Sequence, residues 1–153
     1  MKAMNDSPIP TCNPMLKLDN QLCFSVYALS RLITKAYQPL LDALGVTYPQ
    51  YLVLLLLWEH QALTVKELGE KLLLDSGTLT PLLKRMEQRG WLGRSRAIHD
   101  ERSVIATLLP AGRALEQQAQ EIPTKLGMCF DMTPEQITSL RQQLVPLLTK
   151  LTK

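Results

Sequence analysis

Apolar residues recur every three or four positions from Leu22 through Val26, Leu29, Ile33, Tyr37 and Leu40 to Leu44. That spacing predicts a long amphipathic helix from about Asn20 to Leu44. Asp19 is placed to cap it, with Leu18 as the staple residue. Pro39 removes one ladder donor and is expected to bend it; Gly45 ends it. A second helix opens at a Thr47 cap, carries Pro49 in its first turn and ends near His60. Its run from Tyr51 to Trp58 is apolar nearly all round, which predicts the buried centre of the domain. Thr64-Val65-Lys66-Glu67 is a capping box that opens a short helix to about Leu73. Asp75-Ser76-Gly77 is a turn with its own cap, and a fourth helix runs from it to Arg89, stopped by Gly90. Two short helices joined by a tight turn make a helix-turn-helix pattern. Residues 91–97 and 103–109 are β-like and flank a polar tip at 98–102, which predicts a hairpin, or wing. Pro110 starts a further helix to about Met128 with a kink expected at Pro123. A second capping box, Thr133-Pro134-Glu135-Gln136, opens a last helix to about Leu151, with a disturbance at Pro146.

The pattern therefore predicts a mainly α fold with a small β-wing, a winged helix-turn-helix. Of the 153 residues 46% are hydrophobic and 20% charged, enough for a packed core in one domain with extensions. The apolar run at 51–58 is about half of what a membrane span needs. The first fifteen residues hold Asp6 and three prolines and no apolar core of a signal peptide, so residues 1–17 read as a flexible arm and the chain as cytoplasmic. Cys12, Cys23 and Cys129 are widely spaced, and His60 and His99 fall in different elements. No metal site follows from them and no cofactor is expected. The odd, scattered cysteines suit a reducing compartment, where a disulfide is transient and regulatory.

The charge is localised. Residues 84–102 carry Lys84, Arg85, Arg89, Arg94, Arg96 and Arg102 against Glu87, Asp100 and Glu101, a net +3 that equals the excess of the whole chain. A positive field confined to one segment is what phosphate binding needs. The fourth helix begins with Ser76, Gly77, Thr78 and Thr80, short groups able to approach base edges and phosphates, and continues to Lys84 and Arg85. Leu79, Leu82, Leu83 and Met86 fall on its other side. Arg102 at the wing tip, flanked by Arg94 and Arg96, suits a narrow minor groove. Asp100 either holds that guanidinium, pairs with another basic group, or forms an ion pair within the hairpin.

With Asp19 as cap, Cys23 becomes the fourth helical residue, where the positive end of the helix dipole favours a thiolate, the form that reacts with peroxides. The plainer reading of such a cysteine is a small buried hydrophobe.

Residues 63–108 resemble the winged helix-turn-helix of the MarR family of bacterial regulators, including its wing signature in Asp100-Glu101-Arg102-Ser103. Three further stretches, at 18–24 (LDNQLCF), 44–53 (LGVTYPQYLV) and 74–85 (LDSGTLTPLLKR), resemble the organic hydroperoxide resistance repressor (OhrR) subfamily, two-cysteine type. The match covers about residues 16–120. It implies a single MarR-like domain at 18–153, with the winged helix-turn-helix at about 46–109 and dimerisation helices at about 19–45 and 110–153 interlocked between protomers. It also implies a homodimer that represses by binding a pseudo-palindromic double-stranded operator, with no enzymatic activity and no membrane partner.

For the site, the resemblance implies that Cys23 is the redox sensor, oxidised by organic hydroperoxides, and that Tyr37 and Tyr48 hydrogen-bond it. Cys129 matches the region of the resolving thiol, which bridges to the other protomer; Cys12 lies outside the match. Helix geometry adds a constraint. Tyr37 follows Cys23 by fourteen residues, about 21 Å along one helix, so contact requires an antiparallel helix of a second protomer. Two other functions compete. One is a MarR-type repressor induced by a small aromatic or lipophilic ligand, with passive cysteines. The other is a thiol peroxidase, for which Arg31 is the one group on the helix suited to a peroxide leaving group and in which the basic wing lacks a purpose.

Overall fold

The computed structural model describes residues 12–152, apart from the side chain of Glu101. Most of the expected flexible arm, residues 1–11, lies outside them. The chain divides into two compact units, one ending at Lys35 and one beginning at Ala36.

The first unit opens with two 3-10 turns, Pro14–Leu16 and Leu18–Asn20, and then enters α1 (Leu22–Asp42), which continues into the second. Asp19 is not the cap of α1. It sits inside the second 3-10 turn, which is fastened to the first: Asn20 Nδ2 donates to the Pro14 carbonyl at 2.6 Å and Gln21 Nε2 to that of Met15 at 2.7 Å. The helix consequently starts later than its apolar period suggests, and Cys23 is its second residue, not its fourth. Pro39 lies within the unbroken helix.

In the second unit, Gly45 adopts φ +67° and ends α1 in a Schellman arrangement, Val46 N–H to Leu41 O and Gly45 N–H to Asp42 O. Thr47 and Gln50 form a reciprocal capping box at the head of α2 (Tyr48–His60). Val53, Leu54 and Leu57 on α2 are fully buried and form the centre of the core, as its all-round apolarity predicts. Strand β1 (Ala62–Thr64) follows; three residues show no period, so the pattern gave no sign of it. The Thr64–Glu67 box opens α3 (Val65–Leu72), and the carboxyl of Glu67 is held below its usual range by the Thr64 backbone N–H it accepts, then by the Thr64 hydroxyl. Helix α4 (Ser76–Gln88) buries Leu79, Leu82, Leu83 and Met86 against Leu68 of α3 and the rest of the core.

Strands β2 (Leu92–Ala97) and β3 (Asp100–Leu108) form the wing and, with β1, an antiparallel sheet of order β1-β3-β2. The polar tip is shorter than expected. β3 begins at Asp100 because the register shifts between Arg96 and Ala97, and only Ile98 and His99 turn the corner. The expected kinked helix from Pro110 is two helices, α5 (Pro110–Ala119) and α6 (Ile122–Cys129). Pro123 starts the second one, since a proline is tolerated in a first turn and not inside. Cys129 is therefore the last residue of α6, not part of a loop. Helix α7 (Pro134–Leu151) has its capping box at Thr133 and runs unbroken through Pro146. None of its residues is buried. No helix among the described residues is long and apolar enough to cross a membrane.

Candidate nucleic-acid interface and thiol site

Asp75 organises the start of α4. Its Oδ1 accepts the Thr78 backbone N–H at 2.8 Å and its Oδ2 the Thr78 hydroxyl at 3.2 Å. The first of these bonds, then the second, keeps the Asp75 carboxyl below its usual range. Thr78 thus spends its donor on the cap and presents lone pairs outward. Ser76, Gly77, Thr78 and Thr80 are all exposed, while the apolar residues of α4 face the core. Lys84 and Arg85 are exposed one to two turns later, and among the described residues neither has an ion pair. Helix geometry thus separates a polar face from the packed one.

The wing arginines divide by partner. Arg94 is engaged by Glu87 of α4. Its Nε and Nη2 donate to Glu87 Oε2 at 3.0 and 2.7 Å, and its backbone N–H to Oε1 at 3.0 Å. The Arg94 side chain is the chief cause holding the Glu87 carboxyl down. A three-bond clasp of this kind ties β2 to α4 and engages the Arg94 guanidinium within the chain. The sequence reading missed Glu87 because its partner lies seven residues on, in a different element. Arg96 is exposed on β2. At the tip, Asp100 Oδ1 accepts the backbone N–H of Arg102 at 3.0 Å. Asp100 therefore shapes the turn, and among the described residues no carboxylate reaches the exposed Arg102 guanidinium. A groove of about 860 Å³ between α3, α4 and the wing has Ser76, Thr80, Asp100 and Arg102 on its walls.

Tyr37 and Tyr48 come together, with ring centroids 4.8 Å apart. Tyr51 joins them 5.9 Å from Tyr37, and stands edge-on to Trp58 at 6.1 Å. Tyr51 was missed as a member of this cluster; its i+3 spacing from Tyr48 on α2 was the available signal. Burial is the main cause that raises the hydroxyls of all three. That of Tyr37, with further contributions from Tyr48 and Tyr51, is pushed up to about 12. At neutral pH these phenols are hydrogen-bond donors, not phenolates.

Cys12, Cys23 and Cys129 are free thiols and all exposed. In the single chain Cys23 is therefore an exposed thiol and not a buried hydrophobe. Cys23 belongs to the unit ending at Lys35, and the tyrosines and Cys129 to the other. Among the described residues no group of His, Cys, Asp and Glu is arranged to hold a metal ion.

The MarR family model matches residues 46–104, from just before α2 into β3 of the wing. The organic hydroperoxide resistance transcriptional regulator of Bacillus subtilis (strain 168) is 56% identical over 136 residues, covering 89% of this chain and 92% of that protein. Among solved structures, AbfR of Staphylococcus epidermidis is similar in two states. Reduced AbfR bound to DNA aligns with a TM-score of 0.71 at 40% identity, over 89% of this chain and 95% of that one. Disulfide-formed AbfR aligns with a TM-score of 0.61 at 44% identity, over 86% and 92%. The order of helices, the wing and this identity over nearly the whole chain agree: the protein belongs to the MarR family.

Proposed function

We propose that this protein is a DNA-binding transcriptional repressor, not an enzyme, that senses organic hydroperoxides through oxidation of Cys23 and then leaves its operator. The observation that carries this reading is an exposed polar and cationic face on α4 and the wing, in a chain 56% identical to an organic hydroperoxide resistance regulator. The reading places the protein in the cytoplasm and its target in a pseudo-palindromic duplex.

It works as a homodimer. Helix α7 has no buried residue, and Leu148 and Leu151 stand 51% and 75% exposed on it; on α1, Leu22 and Leu32 are 66% and 63% exposed. Apolar stripes of this extent are interaction surfaces. The fourteen residues from Cys23 to Tyr37 span about 21 Å of helix, so a Cys23 that meets Tyr37 meets the partner's. Two protomers then present two copies of α4 to two half-sites.

The Cys23 thiolate attacks the outer oxygen of ROOH, the O–O bond breaks, and an alcohol leaves once protonated. Cys23 becomes a sulfenic acid and the peroxide is reduced. The neutral phenols of Tyr37 and Tyr48 donate hydrogen bonds to the sulfur and then to its oxygen. The partner's Cys129 thiolate attacks the Cys23 sulfur, a disulfide forms and water departs. Bridged Cα atoms lie within about 7 Å, so the helices carrying them have to move. A coupling of about 3 kcal/mol is enough to weaken DNA binding about 100-fold.

The experiment is DNA binding before and after one equivalent of an organic hydroperoxide, then after a dithiol, with intact mass under non-reducing conditions. The reading expects release, restoration, and a link between Cys23 and Cys129 of two chains. Release without any change of mass at Cys23 contradicts it. A second reading places a small aromatic or lipophilic ligand in the dimer cleft as the inducer and leaves the cysteines passive. A thermal shift with phenolic ligands and no response to peroxide selects that one.

A further inference from the structure

Arg89 differs from the other cations of the basic segment. It is the C-cap residue of α4, and its Nη2 donates to the carbonyl of Gly45 at 3.0 Å, forty-four residues away in sequence. Its guanidinium lies 4.9 Å from the centroid of the Trp91 ring. No carboxylate pairs with it among the described residues.

Both ends of this link are fixed. Trp91 is buried; its N–H donates to Met86 O at 3.1 Å and its carbonyl accepts the Leu109 N–H at 3.0 Å. The Gly45 N–H donates to the Asp42 carbonyl, and the Gly45 carbonyl accepts from Arg89. The Gly45 φ of +67° favours glycine there, and a Cβ would stand 3.1 Å from the Arg89 nitrogen, so that the guanidinium would have to give way. From Gly45 the chain passes through buried Val46 to the Thr47 cap and Tyr48, whose ring rests on Tyr37. One side chain therefore joins the turn that carries a sensor tyrosine to the end of the DNA-reading helix.

We propose that Arg89 is a positioning residue that transmits the state of the tyrosine pair to α4. This rests on the reading of Cys23 as peroxide sensor given above. When the partner's oxidised Cys23 pulls on Tyr48, the Gly45 turn moves and Arg89 carries that movement into the C-terminal end of α4. A thirteen-residue helix is a stiff rod about 20 Å long. A shift at one end re-aims Ser76, Thr78 and Thr80 at the other. Arg89 is a mechanical link of this kind: its guanidinium makes both the charge-assisted bond to Gly45 and the cation–π contact with Trp91, and its backbone is the C-cap of α4.

The test uses the full-length protein and a duplex selected from a random pool by the reduced form. The dissociation constant is measured for reduced protein and after one equivalent of cumene hydroperoxide, and the readout is the ratio of the two. The parent protein gives a ratio of about 100. Arg89→Ala gives a ratio below about 10 while still forming the Cys23 oxidation product, and Arg89→Lys, which keeps a cation and a donor, recovers most of the loss. Arg89→Gln carries the test if Arg89→Ala does not fold. An Arg89→Ala ratio within twofold of the parent's overturns the proposal, including the case where both dissociation constants rise together. A parent ratio of one overturns the sensor reading itself, which separates the two failures.

Discussion

The division of the basic segment into free and engaged cations has a measurable consequence in salt. Lys84, Arg85 and Arg102 are exposed and without carboxylate partners among the described residues, whereas Arg94 is clasped by Glu87 and Arg89 is bound to Gly45. Three such cations in each protomer make six in a dimer. At about 0.9 counterion released per neutralised phosphate, the plot of log affinity against log salt has a slope of about −5. From 50 to 200 mM salt the affinity therefore falls about 2,000-fold. Arg102→Ala removes two of the six contacts, so the slope drops to about −3.6 and the loss over the same range to about 150-fold. Arg94→Ala removes no phosphate contact; it weakens binding at every salt concentration, because the wing is no longer held to α4, and leaves the slope near −5. Fluorescence anisotropy titrations of one selected duplex at four salt concentrations, with reduced protein, give all three slopes. A slope unchanged in Arg102→Ala and lowered in Arg94→Ala refutes the assignment of the two arginines.

Three further outcomes are expected. Gly112→Ala drives a Cβ into the Trp91 carbonyl and within 2.8 Å of Leu108, and displaces the Gly112 carbonyl that accepts the Trp58 indole N–H at 3.0 Å; overpacking and the stranded donor, less the gain in helix propensity, cost about 2–3 kcal/mol. Its melting temperature at fixed protomer concentration drops by about 5–10 °C, and a change under 2 °C contradicts the packing argument. Tyr37 binds its proton more tightly in the folded chain, at about 12 against 10, so the stability it contributes is complete below pH 10 and is lost as pH rises from 10 to 12. Absorbance at 295 nm should show a late ionisation step that Tyr37→Phe removes. Cys129→Ser still reacts at Cys23 but forms no intersubunit link on a non-reducing gel and runs on to higher oxides under excess peroxide; a covalent dimer in that variant reassigns the resolving thiol.

Much of the architecture can be read from local rules, because its boundaries are made by local chemistry. Thr64 and Thr133 cap as their spacing to Glu67 and Gln136 predicts, Thr47 caps as expected and adds a box with Gln50, and Gly45 ends α1 in the left-handed turn it suits. The errors fall where neighbours compete. Asp19 has the chemistry of a cap, yet the bonds of Asn20 and Gln21 to the chain before them draw it into a 3-10 turn. Pro123 reads as a kink in one helix, whereas the break at Gln120 and Glu121 places it in the first turn of a second. At the site, the polar face of α4 follows from helix geometry alone. The roles of Arg89 and Arg94 do not, because Gly45 and Glu87 reach them only through tertiary packing. The same holds for Tyr51, whose place beside Tyr37 depends on how α2 meets the end of α1.

The central claim is that oxidation at Cys23 is what releases DNA, and its most direct measurement compares the parent protein with Cys23→Ser on the same duplex. Each is titrated with organic hydroperoxide at one equivalent per protomer while anisotropy reports bound DNA. The account predicts that the parent releases the duplex and regains it on addition of a dithiol, while Cys23→Ser binds as tightly as reduced parent and stays bound. Release of Cys23→Ser by the same equivalent of peroxide contradicts it.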